Sequence, residues 1–370
     1  MRRPRVRGLC EHKSARLKVD LSAIRKNYAR LSRYAVGADC AAVVKADAYG
    51  LGMDKIATAL AGQVKSFFVA QPEEGCLLRK ILPNKRIFVL HGFLPDGPGL
   101  MADYNLIPVL NSLEQVRGWR AFCSRKGRDY PAALQFDTGM SRFGLAEEDI
   151  QNEALKGFKP ILVMSHLACA DHLDHPANEE QRKRFIKMSA AFPHVPRSLA
   201  ASSGIFLGTD YHFDLVRPGV ALYGLPPNEM DTSLHPVLEL EAQILQLRKI
   251  SKGAGVGYGL SYHATHSMRL ATVGIGYADG VFRAFSEGGG HLWHKGIRLP
   301  IIGRVSMDSL TVDVTAVPEE QLAEGSWLSV IGPEQDIATV AAQSGTIGYE
   351  ILTSLGHRFA RFYHDDDDDI

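Results

Sequence analysis

The stretch AAVVKADAYGLG, residues 41–52, sets Lys45 at the end of an apolar run, with Tyr49 four positions later between Ala48 and Gly50. An amine at the end of a buried strand is partly desolvated, which lowers its pKa and makes it nucleophilic. Similar polar groups end other apolar runs. Asp137, Met140 and Arg142 lie in FDTGMSRFG, His166 ends ILVMSH, and Ser202, Ser203 and Gly204 follow LAAS. Arg217, Gly219 and Val220 lie in RPGVALYG. The serines at a helix start offer N–H groups and hydroxyls to an anion, and the glycines let backbone approach a ligand. An anion cradle beside a nucleophilic lysine is what pyridoxal phosphate (PLP) requires. Taken singly, each feature has a plainer reading: a solvated lysine, a structural histidine, a helix cap.

The elements that must position these groups follow a rhythm. From about residue 16 to 225, short runs rich in Val, Ile and Leu alternate with amphipathic segments. They are 41–44, 67–70, 86–90, 106–110, 132–137, 161–166, 199–202 and 213–217. Strands apolar on both faces, alternating with helices, predict a parallel sheet covered by helices. Eight such units predict an α/β fold with an N-terminal (β/α)8 TIM-type barrel, a doubly wound sheet being the competitor. After about 235 the pattern turns to strands and turns, which predicts a mainly β C-terminal domain. The boundaries read as a basic N-terminal tail over 1–15, barrel over 16–240, β domain over 241–364 and acidic tail over 365–370. The segment 223–236, rich in Pro and polar residues, reads as the connector.

Composition narrows the partners. The 370 residues carry 42 basic and 41 acidic side chains, net +1, which gives no reason to expect nucleic acid. No apolar run is long enough for a membrane span. Five scattered cysteines and the lack of an apolar leader suggest reduced thiols and a cytoplasmic setting. Asp171, His172, Asp174 and His175 cluster in ACADHLDH, but their spacing matches no tight metal pattern, and no metal site is expected.

Together the motifs closely resemble the alanine racemases, fold-type III PLP enzymes, over residues 16 to 363. AVVKADAYGLG looks like the family's PLP-lysine signature. FDTGMSRFG, MSHLACAD, VRPGVALYG, GVGYGLSY, GIGYADG, GRVSMD and TIGYEI resemble further blocks in the family's order. The resemblance implies a barrel plus β domain, and a homodimer whose sites combine one barrel with the partner's β domain. It implies Lys45 as the residue joined to PLP and one of two catalytic bases, with Tyr258 of the second subunit as the other. Tyr49, Ser203, Gly219, Val220 and Tyr349 would hold the phosphate. Arg217 would face the pyridine nitrogen, with His166 in support. Arg142 and the Met307 backbone would take the substrate carboxylate, with Tyr277 at the entrance and Asp308 nearby.

The implied activity is interconversion of L- and D-alanine, supplying D-alanine for peptidoglycan. A serine or broad-specificity racemase of the same fold is the alternative. A fold-type III decarboxylase and a PLP-binding protein without catalysis are disfavoured by GVGYGLSY and by the second domain. The chain departs from the family's usual residues at Gln135, where a carbamylated lysine is common, and at Ser202, Ser141 and Phe143. These positions bear on the substrate, whereas Lys45, Tyr258 and Arg217 keep the pattern.

Overall fold

The computed structural model describes residues 13–227, 234–286 and 289–365. It divides into two compact units, Ala23–His235 and a second made of the segment up to Ser22 with everything from Pro236. Among the described residues no helix is long and apolar enough to cross a membrane.

In the first unit a seven-stranded parallel sheet runs in chain order. Its strands are Ala42–Val43, Ser66–Val69, Arg86–Val89, Ile107–Leu110, Ala133–Gln135, Leu162–Met164 and Arg197–Ser198. An eighth strand, Leu215–Val216, pairs in parallel with Asp39–Cys40. The Arg217 N–H donates to the Ala200 carbonyl at 2.9 Å and that of Ala41 to the Val216 carbonyl at 2.9 Å. These two bonds close the ring, so the barrel expected from the sequence is present. Ser66–Val69 and Ile107–Leu110 are buried along their whole length, as strands covered on both faces must be. Phe68 and Phe88, neighbours in register, stack at 4.6 Å inside. Burying each ring contributes roughly 1.5–3 kcal/mol.

The second unit is built on one long strand, Leu238–Ile250, whose side chains alternate between buried and partly exposed over its first half. It pairs antiparallel with Met268–Val273, Trp327–Ile331 and Ala15–Asp20. Ala15–Asp20 also pairs in parallel with Ala360–His364. The sequence reading began the barrel at residue 16, but this strand, with Leu17 and Val19 fully buried, belongs to the β sheet. Its partners lie more than 200 positions away, which no local pattern reveals. Near the end of this unit stand two short helices, Ile337–Gln343 and Gly348–Ser354. Gly345 separates them at a φ of 66°, a left-handed conformation glycine adopts without cost. The outer parts of both predicted tails, and residues 228–233 of the connector, lie outside the described residues.

Candidate active site

Lys45 opens a turn that runs the wrong way for L-residues. Ala46, Asp47, Ala48 and Tyr49 have φ of 53°, 53°, 54° and 56°. One left-handed turn of non-glycine residues costs roughly 1–2 kcal/mol per residue. Tertiary bonds hold it. Glu74 accepts the Ala46 N–H through Oε1 at 2.5 Å, while its Oε2 accepts those of Ala70 and Gln71. Asp47 Oδ1 accepts the Met53 N–H at 2.8 Å. The Tyr49 ring lies 4.8 Å from that of Tyr223, whose hydroxyl donates to the Val43 carbonyl at 2.8 Å. Strain of this size persists only where the surroundings over-determine it, and such places cluster at functional sites. The Lys45 amine is held below the usual lysine range, chiefly by burial and then by the charge of Arg142, with Glu74 opposing. This agrees with the sequence expectation for a strand-end lysine.

Beside this turn stands the RPGV loop. A β-carbon on Gly219 would crowd the Tyr49 hydroxyl, so any larger residue there must displace the tyrosine. Ser202 Oγ accepts the N–H groups of Gly219 (2.9 Å) and Ala221 (3.3 Å), which fixes the loop. Ser203 Oγ donates to the Pro227 carbonyl at 2.9 Å, and Val220 is buried. Arg217 is almost wholly buried, with its guanidinium donating to Ser198 Oγ and to the Ser165 carbonyl at 2.7 Å. Burial lowers its pKa to about 9, so it stays cationic at neutral pH.

His166 is pushed down to about 3 by burial and by the charges of Arg217, Arg142 and Lys45. It is therefore neutral, in a pocket that is already cationic. A buried chain of bonds stands behind it. Gln181 donates to the His166 carbonyl (3.0 Å) and to Thr138 (3.1 Å), Thr138 bonds Ser165 (2.8 Å), and Arg217 rests on the Ser165 carbonyl. Nothing in the sequence marked Gln181 or Thr138.

Arg142 sits on a loop shaped by Asp137, whose Oδ1 accepts the N–H groups of Gly139, Met140 and Ser141 at 2.9–3.1 Å. Ser141 takes a φ of 57° within that loop. Gln135 is buried and its amide donates to the Phe143 carbonyl at 3.4 Å, so it braces the same loop. A cavity of about 420 Å³ is lined by Arg142 and Phe143 together with His91, Asn111 and Gln115.

Within the β unit, the large side chains expected at a site are exposed. Tyr258 is 71% accessible, Met307 53%, Tyr277 42% and Tyr349 39%. Gly257 and Gly259, with φ of 73° and 69°, bend the chain around Tyr258. Tyr277 and Met307 lie on two loops joined by backbone bonds: Tyr277 N–H to the Ser306 carbonyl and Ala278 N–H to that of Met307, both 3.0 Å. Asp308, next to Met307, pairs with Arg358 at 2.6 Å.

A barrel lysine whose amine is kept more readily deprotonated is suited to act as a nucleophile, the chemistry of enzymes that bind their cofactor or substrate through a lysine. The particular family follows from comparison with known proteins. The family model described as alanine racemase, N-terminal domain, matches residues 19–227, and that described as alanine racemase, C-terminal domain, matches 237–363. A curated relative from Mesorhizobium japonicum, named "Alanine racemase, catabolic", is 47% identical over 94% of this chain and 92% of its own. One from Brucella ovis, named alanine racemase, is 45% identical over 94% and 93%. The crystal structure of alanine racemase from Bartonella henselae with covalently bound pyridoxal phosphate superposes with a TM-score of 0.90. It is 41% identical, covering 95% of this chain and 99% of that one. That of the biosynthetic alanine racemase from Pseudomonas aeruginosa gives 0.85 at 34% identity, over 95% and 99%. The chain belongs to the alanine racemase family.

Proposed function

We propose that the protein is a PLP-dependent isomerase that interconverts L- and D-alanine with two bases, Lys45 and Tyr258 of a second subunit. The observation that carries this reading is the Lys45 amine, lowered in pKa and set on a strained turn against the Tyr49–Gly219 contact. The residues fit the cofactor: an amine for covalent attachment, a glycine loop packed closely against Tyr49, and a buried cation. Lys45 would hold PLP covalently, and Tyr49, Ser203, Gly219, Val220 and Tyr349 would hold its phosphate. Arg217 would face its ring nitrogen, steadied by the chain through Ser165, Thr138 and Gln181, with His166 beside it. When bound, the cofactor supplies an electron sink that acidifies the Cα–H of an attached amino acid.

The remaining work falls to the chain's own groups. Lys45 Nζ removes or returns the Cα proton on one face, and the Tyr258 hydroxyl does so on the other. Two bases of different type make inversion a single passage of one proton in and one out. Arg217 stays charged at neutral pH and cannot take a further proton, so it would leave the ring nitrogen unprotonated and disfavour side reactions such as transamination. Arg142 and the Met307 N–H hold the substrate carboxylate, and Tyr277 lines the way in. Gln135 brings no charge to the Arg142 loop, so the substrate carboxylate meets the full cation of Arg142.

The exposed Tyr258, Leu260, Met307, Ile347 and Tyr349 of the β unit support association with a second copy. We assign the protein to the cytoplasm, where alanine and PLP are at hand. Enantiomers have equal free energy in water, so the same site serves supply of D-alanine to peptidoglycan or its consumption. The name of the Mesorhizobium relative, "Alanine racemase, catabolic", favours consumption. The test is the visible absorbance of the purified protein. It should show a PLP–lysine linkage that borohydride locks in place and that Lys45→Ala abolishes, together with chiral analysis of alanine. A protein without that absorbance, or one that racemises serine in preference to alanine, would overturn the assignment.

A further inference from the structure

We propose that Arg358 is a positioning residue for the substrate-carboxylate side of the site, clamping the loops that carry Tyr277 and Met307. This rests on the reading of those two residues given above.

Arg358 comes from a third segment of the β unit, and its guanidinium meets both loops at once. Nε and Nη2 donate to Oδ1 and Oδ2 of Asp279 at 2.7 and 2.8 Å, a two-pronged pairing. Nη1 donates to Asp308 Oδ1 at 2.6 Å. Asp279 is buried, and its Oδ2 also accepts the Gly276 N–H at 3.0 Å. Gly276 is pressed onto the opposite loop: a β-carbon there would lie 2.4 Å from the carbonyl oxygens of Ser306 and Met307. Backbone bonds from Tyr277 and Ala278 complete the seam. The segment before Arg358 is seated on the first loop too, since a β-carbon on Gly280 would strike the Ser354 carbonyl at 2.6 Å.

Arg358 does two things in this arrangement. Its planar fork fixes the spacing of two loops whose residues meet the substrate. Its single positive charge offsets one of the two carboxylate charges, which weakens their repulsion of a substrate carboxylate. Lysine could supply the charge but not the fork. Both effects bear on binding of the carboxylate and leave the PLP-holding residues of the barrel alone.

The test uses the holoenzyme carrying R358A and R358K, with three readouts. Amide hydrogen exchange over 274–280 and 303–308 should accelerate in R358A and less in R358K. KM for alanine should rise about ten- to a hundredfold in R358A, the scale of a small misplacement remote from the chemistry, with kcat changed less. The dissociation constant of propionate, a carboxylate without the amine, should rise by the same factor in calorimetry, while PLP retention stays as in the wild type. Faster exchange with unchanged KM and propionate binding would overturn the proposal, as would unchanged exchange or a fall in kcat alone. Should R358A not fold, R358K carries the same comparison. A wild-type protein that fails to racemise alanine would sink the functional reading instead, and exchange with propionate calorimetry would still decide the role of Arg358.

Discussion

The hydroxyl of Tyr49 lies so close to Gly219 that a β-carbon at residue 219 would come within 2.4 Å of it. Two loops from opposite ends of the barrel sequence thus meet at the turn that presents Lys45. Tyr49 cannot easily yield, because its backbone is already left-handed and its ring rests on Tyr223.

Gly219→Ala should therefore cost about 1–3 kcal/mol by overpacking and loosen PLP, seen as a lower melting temperature and faster cofactor loss on dialysis. Adding Tyr49→Phe removes the clashing oxygen, leaving the ring carbon at 3.2 Å as the nearest atom. The double variant should recover melting temperature relative to Gly219→Ala while still holding PLP weakly. Additive losses would mean that the two side chains are not coupled.

Acid lability should track His166. Unfolded, this group takes a proton near its ordinary value of about 6.5. Folded, it does so only near 3. Between those values the unfolded chain binds one more proton, so stability rises with pH and is lost as pH falls from 6.5 toward 3. Melting temperatures of the holoenzyme across that window should fall less steeply for His166→Asn than for the wild type. Parallel curves would show that His166 is not the group responsible.

Shared sites make a quantitative prediction. Lys45→Ala and Tyr258→Phe should each be nearly inactive alone. If each site takes Lys45 from one subunit and Tyr258 from the other, a mixed dimer has one intact site. Random exchange of equal amounts should then restore about a quarter of wild-type activity. No recovery after verified subunit exchange would place both residues in the same subunit's site.

A helix-covered parallel sheet was legible because its strands are apolar on both faces, as in FFV at 67–69 and IFV at 87–89, and because turn residues divide them, whereas its closure into a barrel rested on the number of units and on the family resemblance. Lys45 stood out because it ends a buried run, but its expected role came from the likeness of AVVKADAYGLG to the family's lysine signature. What stayed hidden is tertiary. Nothing in Lys-Ala-Asp-Ala-Tyr announces a left-handed turn, and the groups that hold it include Glu74 and the packing of Tyr49 on Tyr223, distant in sequence. The strand Ala15–Asp20 alternates like any half-buried strand, yet its place is set by partners at 238–242 and 360–364. Arg358 lies in HRFARF, where no spacing signals that it meets Asp279 and Asp308.

The two-base assignment itself is tested most directly by proton exchange in Tyr258→Phe. The holoenzyme variant is incubated in D2O with L-alanine or with D-alanine, and deuterium at Cα is followed alongside enantiomer ratio. Racemisation should fall about 10²–10⁴-fold, the usual contribution of a positioned base. Lys45 should nevertheless continue to exchange the Cα hydrogen of one enantiomer, without inverting it, while the other stays unlabelled. Labelling of both enantiomers at similar rates, or racemisation near the wild-type level, would contradict the account.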